Sequence, residues 1–149
     1  MNEGVPKSRL VARMNEVLPH FEILRHEDQM RHGIPDISVT GLGWTTWWEV
    51  KYANPGFESE KIQDVTMWKL ARAGYARYII FYEPHPNDRK VCIAHPNEVL
   101  DIKTGKKILT WQRRVVAEKF DYTVIAQFVA RIHLKGPTHV SRPDHHDVF

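Results

Sequence analysis

The chain has 149 residues, 42% of them hydrophobic and 26% charged, with a net charge of +3. That composition suits one domain with a packed core and excludes a disordered chain. The single cysteine, Cys92, excludes an internal disulfide framework and a cysteine-based zinc centre, while a pI of about 9.0 permits a polyanionic partner without specifying one.

The opening Met-Asn-Glu-Gly-Val-Pro-Lys lacks the apolar core of a signal peptide, and no stretch has the apolar length of a membrane span. Cys92 lies in the apolar run Lys90–Ala94 and reads as a buried structural thiol. A reduced, cytoplasmic setting follows as the default.

Taken in chain order, Leu10, Met14, Val17 and Leu18 recur at helical spacing after Pro6, predicting a helix over 7–18 that Pro19 stops. Phe21–Leu24 reads as a short strand, and the polar run Arg25–Gly33 as a loop. Ile34–Thr40 and Trp44–Tyr52 are rich in β-branched and aromatic residues, with Gly41-Leu-Gly43 between them as a hairpin turn. Asn54-Pro-Gly breaks the chain. Ser59 caps a helix that runs to Ala73 and ends at Gly74. Ala76–Tyr82 and Lys90–Ala94 are strands joined by the turn-rich Glu83-Pro-His-Pro-Asn-Asp. Thr104-Gly105 suggests a turn between short strands. Asp121 caps a last helix whose apolar stripe is Ile125, Phe128, Val129 and Ile132, with Gly136-Pro137 after it. Residues 138–149 read as a polar tail. This order predicts an α/β fold, a central mixed sheet flanked by helices. It forms a single domain over 1–137, with a core at about 7–95 and a C-terminal addition at 96–137.

Three charged residues stand out against this frame. Asp36 opens one hairpin strand, and Glu49 and Lys51 close the other. Residues two apart on a strand share a face, so Glu49 and Lys51 are neighbours. Pairing Asp36 with Glu49 leaves Leu42-Gly43 as a two-residue loop or 41–44 as a four-residue one. A bulge reaches the same alignment from a three-residue turn. One face then holds two carboxylates and an ammonium. Two carboxylates that close repel each other unless a cation neutralises them, and hard oxygen donors suit Mg²⁺ or Mn²⁺. Such an ion polarises a phosphodiester, and Lys51 is placed to orient water or steady developing negative charge.

Pro35-Asp36 followed by Glu49-Val50-Lys51 resembles the PD-(D/E)xK nuclease superfamily. Gly33-Ile-Pro-Asp36 looks like the signature of its Holliday-junction-resolvase-like and VRR-NUC branch, and Gln63 fits that branch's glutamine on the following helix. Gln63, Met67, Leu70 and Gly74 share a helical face. The resemblance covers residues 7–82 and implies a restriction-endonuclease-like fold. It implies that Asp36, Glu49 and the Val50 carbonyl hold the metal, that Lys51 is the catalytic lysine, and that Gln63 assists at the metal site. It further implies metal-dependent cleavage of DNA at junctions, flaps or ends, and a homodimer. The chain departs from the pattern once. The branch places an acid early in the first helix, where this sequence has Lys7-Ser-Arg-Leu, with Glu3 before it and Glu16 near the helix end.

Other segments keep two readings. Lys103–Arg114 holds five basic residues and no acid. It reads either as a DNA-contacting hairpin, using Lys106, Lys107, Trp111, Arg113 and Arg114, or as a solvated face with Trp111 in the core. Arg25, His26, Arg31 and His32 approach a phosphate or form a plain loop, with Glu27 and Asp28 beside them. His139, Asp144, His145, His146 and Asp147 match zinc-ligand types but read as tail. The tryptophans 44, 47 and 48 read mostly as core. The rivals to a nuclease are a non-catalytic DNA-binding module on the same fold and a phage-like inhibitor that binds a protein partner.

Overall fold

The computed structural model describes residues 4–27, 33–54, 61–98 and 115–137. The elements are α1 (Gly4–Val17), β1 (Glu22–Arg25), β2 (Ile37–Gly41), β3 (Trp44–Ala53), α2 (Lys61–Ala73), β4 (Ala76–His85), β5 (Asp88–Ala94), β6 (Val115–Ala117) and α3 (Tyr122–Lys135). A 3₁₀ turn covers Pro96–Glu98. The six strands form one sheet in chain order. β3 and β4 run parallel, and the other neighbours are antiparallel. A parallel pair needs a crossover, and α2 lies in that connection. The fold is α/β, a mixed sheet flanked by helices, as the order of elements predicts.

Strand alternation sorts the side chains into two layers. Ile37, Val39, Trp48, Val50, Ile79 and Phe81 join Leu10 and Met14 of α1 and Ile125, Phe128, Val129 and Ile132 of α3 in the larger core. The stripe expected on the last helix is the one buried. On the other face Ala53, Tyr78, Ile80 and Cys92 pack against Met67 and Ala71 of α2. Trp48 is fully buried in the larger core. Trp44 and Trp47 are half-buried, one against each cluster.

The hairpin adopts the register that leaves Leu42-Gly43 as the turn, with Ile37 opposite Trp48 and Gly41 opposite Trp44. Both turn residues have positive φ, 53° and 89°, as a two-residue loop matched to the strand twist requires. Gly41 is needed for space: a Cβ there would sit 2.6 Å from the Phe21 ring. His133 of α3 clamps this hairpin. Its Nδ1–H donates to the Gly41 carbonyl at 3.0 Å, and its Nε2 accepts from the Thr46 hydroxyl at 2.9 Å. Trp48 Nε1 donates to the same hydroxyl at 2.8 Å, and Trp44 Nε1 to the His133 carbonyl at 3.2 Å.

Some boundaries differ from expectation for physical reasons. α1 begins at Gly4, since Pro6 falls in the first turn, where an absent N–H is harmless. β4 and β5 continue into the segment read as a loop. The register shifts between Tyr82 and His85, and Asn87, at φ 67°, makes the turn. β6, at Val115–Ala117, falls in the stretch that the sequence reads as short strands without fixing their bounds. Asp121 caps α3 as expected, accepting from the Val124 N–H at 3.1 Å. Cys92 is buried, and burial pushes its thiol up to about 12, so it stays protonated. Ser59, the 101–114 segment with its turn at Thr104-Gly105, and the 138–149 tail lie outside the described residues.

Candidate active site

The β2–β3 pairing ends at Ile37 and Trp48. Beyond it the two strands are joined by side chains. The Asp36 N–H donates to Glu49 Oε1 at 2.9 Å, and the Val50 N–H donates to Asp36 Oδ2 at 2.9 Å. The carboxylates are thus interlocked through each other's strands, and this fixes both orientations. The Asp36 carbonyl accepts from the His26 N–H at 2.8 Å, which holds the residue from the β1 side. On a strand the N–H and C=O of one residue point to the same edge. The Val50 carbonyl therefore faces the opening that its N–H shares with Asp36.

Glu49 and Lys51 sit on the α2 face of β3, both buried, with Lys51 Nζ 3.5 Å from Glu49 Oε2. Burial pushes the Glu49 carboxyl up to about 9; the Asp36 carboxylate beside it adds to the rise, and Lys51 works against it. Loss of water around Glu49 thus outweighs the lysine in contact with it. From the opposite layer, Lys7 of α1 reaches Asp36 Oδ1 at 3.0 Å. Sequence reasoning noted only that an acid was missing near Lys7. It did not anticipate that the ammonium itself enters the site.

The structure brings together Asp36, Glu49, Val50 and Lys51, as the sequence suggested. Gln63 lies in the first turn of α2, half-buried, one turn before the fully buried Met67. It belongs to the helix that covers the Glu49 face. Its neighbour Asp64 makes a direct link, accepting from the Tyr78 hydroxyl at 2.7 Å. Tyr78 pairs with Glu49 across the parallel strands. Burial, then Asp64, then Glu49 raise the Tyr78 phenol, which stays protonated. Among the described residues no group of three or more His, Cys, Asp and Glu side chains gathers. Asp36 and Glu49 are the carboxylates joined here through backbone donors, and the Val50 carbonyl shares their strand edge.

Lys106, Lys107, Trp111, Arg113 and Arg114 lie outside the described residues. A different basic surface is visible. Arg9, two residues after Lys7, lines a cleft of about 540 Å³ with Arg89, Lys119, Phe120 and Tyr122, and with Glu118 as its acid. Arg89 is ion-paired with Glu83 and stands over the Phe120 ring. Separation in sequence hid this cleft, since its cations come from α1, β5 and the approach to α3.

Comparison with protein-family models gives no match, and comparison with curated proteins gives none. Among the described residues, no helix is long and apolar enough to cross a membrane.

Proposed function

We propose that the chain is a metal-dependent nuclease that hydrolyses DNA phosphodiester bonds, selecting structures such as junctions, flaps or ends. The observation that carries this reading is the interlocked Asp36–Glu49 pair at the end of the hairpin, with Lys51 on the same strand face as Glu49. A scaffold gains nothing by burying a carboxylate beside another carboxylate. The donor set fits a hard divalent cation: two carboxylates and the Val50 carbonyl are all oxygen, as Mg²⁺ or Mn²⁺ requires. When bound, that ion would supply Lewis-acid activation of the phosphodiester.

The chain's own residues supply the rest. Asp36 and Glu49 would hold the ion, oriented by the two backbone donors. Lys51, nearly buried, keeps its ammonium at the edge of the site to steady negative charge on the phosphate oxygens. Tyr78 stands beside Glu49 across the parallel strands, and Gln63 lies in the first turn of the helix over that face. Arg9, Arg89 and Lys119 offer backbone phosphates a basic cleft. A reduced, cytoplasmic setting suits the buried Cys92 thiol.

Labelled linear, flapped, single-stranded and four-way-junction DNA, incubated with Mn²⁺ or Mg²⁺, tests the proposal. Wild type is expected to cut, and Asp36→Ala and Lys51→Ala to lose at least about a hundredfold in rate. Binding without cutting would favour a non-catalytic DNA-binding module. The Lys7–Asp36 ion pair lends that second reading weight, because a lysine already neutralises one of the carboxylates.

A further inference from the structure

α1 carries a lysine where its packing calls for an apolar residue. Lys7, Leu10 and Met14 share one face at i, i+3 and i+7. Leu10 and Met14 are fully buried, and the Lys7 side chain is 18% exposed. Lysine is rarely buried unless it is paired. Its partner here is Asp36 Oδ1, which lies 29 residues away in the chain.

Docking of α1 does not depend on this contact. The apolar stripe holds the helix on the sheet, and Arg25 Nη1 donates to the Ser8 hydroxyl at 3.0 Å, tying the opening turns of α1 to the end of β1. Asp36 divides its oxygens. Oδ2 takes the Val50 N–H, which fixes the carboxylate. Oδ1 takes the Lys7 ammonium at 3.0 Å.

We propose that Lys7 is an internal cation that competes with a divalent ion for Asp36 Oδ1, so that loading of the site displaces it. This rests on the metal-binding reading of the site. A lysine suits the role, being a compact charge on a flexible four-carbon stem that can leave by rotamer change alone. Before loading, Lys7 neutralises Asp36 and keeps it in place. On loading, one positive charge gives way to another, and the freed ammonium remains beside the site. The divalent ion must therefore overcome the ion pair, which weakens its apparent affinity.

The test is Mn²⁺ binding to the intact chain without DNA, using manganese chloride as the probe. Calorimetry and the electron-spin signal of free Mn²⁺ report affinity. Wild type is compared with Lys7→Met, Lys7→Gln and Lys7→Arg, with thermal unfolding of each run alongside. Lys7→Met and Lys7→Gln should each bind Mn²⁺ about tenfold more tightly than wild type, the scale of a partly buried charge pair removed. Lys7→Arg keeps the charge and should bind no more tightly than wild type. Folded neutral variants with unchanged or weaker affinity would overturn the competition and leave the metal site standing. Absence of saturable binding in wild type and both neutral variants would overturn both.

Discussion

Glu49 shows how one residue can work against the fold that holds it. It is 1% exposed, it faces another carboxylate, and its compensation comes from the Asp36 N–H and from Lys51 at 3.5 Å. A buried carboxyl pushed this far from its ordinary pKa marks a candidate functional group, since stability alone disfavours it. Glu49→Gln keeps the shape and the acceptor for the Asp36 N–H while removing the cost of taking up a proton on burial. We expect Glu49→Gln to raise the melting temperature by about 3 °C, the equivalent of about 1 kcal/mol in a chain of this size, and to abolish Mn²⁺ binding and cleavage. Scanning calorimetry and a Mn²⁺ titration on one preparation check both halves. A drop in melting temperature would mean that the Glu49–Lys51 pair anchors the strand instead. The opposing effects are the usual relation between a strained site and its scaffold.

At the scale of elements, α3 and the hairpin are held together by His133. Burial lowers the pKa of its ring below the ordinary 6.5, although the Gly41 and Val39 carbonyls pull the other way. Its partners Gly41 O and Thr46 Oγ1, and the Phe21 and Trp44 rings beside it, are neutral. The folded state thus binds this proton less readily than the unfolded chain. The stability His133 contributes is full above pH 6.5 and is lost as pH falls from there towards the lower folded value. We expect urea unfolding of wild type to weaken between pH 7 and pH 5. His133→Phe should flatten that part of the slope while losing about 1–2 kcal/mol at pH 7, where two buried polar groups lose their partner. A slope unchanged by the variant would place the titration elsewhere.

His133 also marks what sequence could and could not show. The register of the hairpin was legible, because two alternating runs meet at a glycine-flanked turn. Glu49 and Lys51 were assigned one face by parity, and the α3 stripe and its Asp121 cap were equally local signals. His133 sits next to Ile132 on the buried side, but its partners are 87 and 92 residues away, so no spacing betrays it. Lys7 is hidden the same way. The one trace it leaves is a lysine in step with Leu10 and Met14. β6, with three residues, is too short for any periodicity, and the strand through Pro84 reads as a loop because the bulge that admits proline there is set by its neighbour.

For the molecule as a whole, the net charge of +3 is modest, so where cations lie matters more than their sum. Arg9 and Lys119 line one cleft from two distant parts of the chain. If DNA phosphates enter there, each lost contact removes about one released counterion. We expect Arg9→Ala combined with Lys119→Ala to reduce the slope of log affinity against log salt by about 2. Fluorescence anisotropy from 50 to 200 mM salt, a range over which such contacts respond strongly, reads this directly. An unchanged slope would assign phosphate contact to another surface.

The Leu42-Gly43 turn acts as a ruler for the whole arrangement. β3 is pinned on its other side by seven pairs with β4, so any change in turn length must be absorbed by β2. Unless a bulge takes it up, one residue more or fewer would rotate Ile37 and Val39 out of the core and carry Asp36 out of step with Val50. The turn between β4 and β5 sets the parity of Val91 and Ile93 in the same way, but neither residue of the Asp36–Glu49 pair hangs from it. Insertions and deletions are therefore filtered unevenly along this chain. A change at the far turn disturbs packing alone, while the distance from Asp36 to Glu49, counted in residues, also sets the geometry of the candidate site.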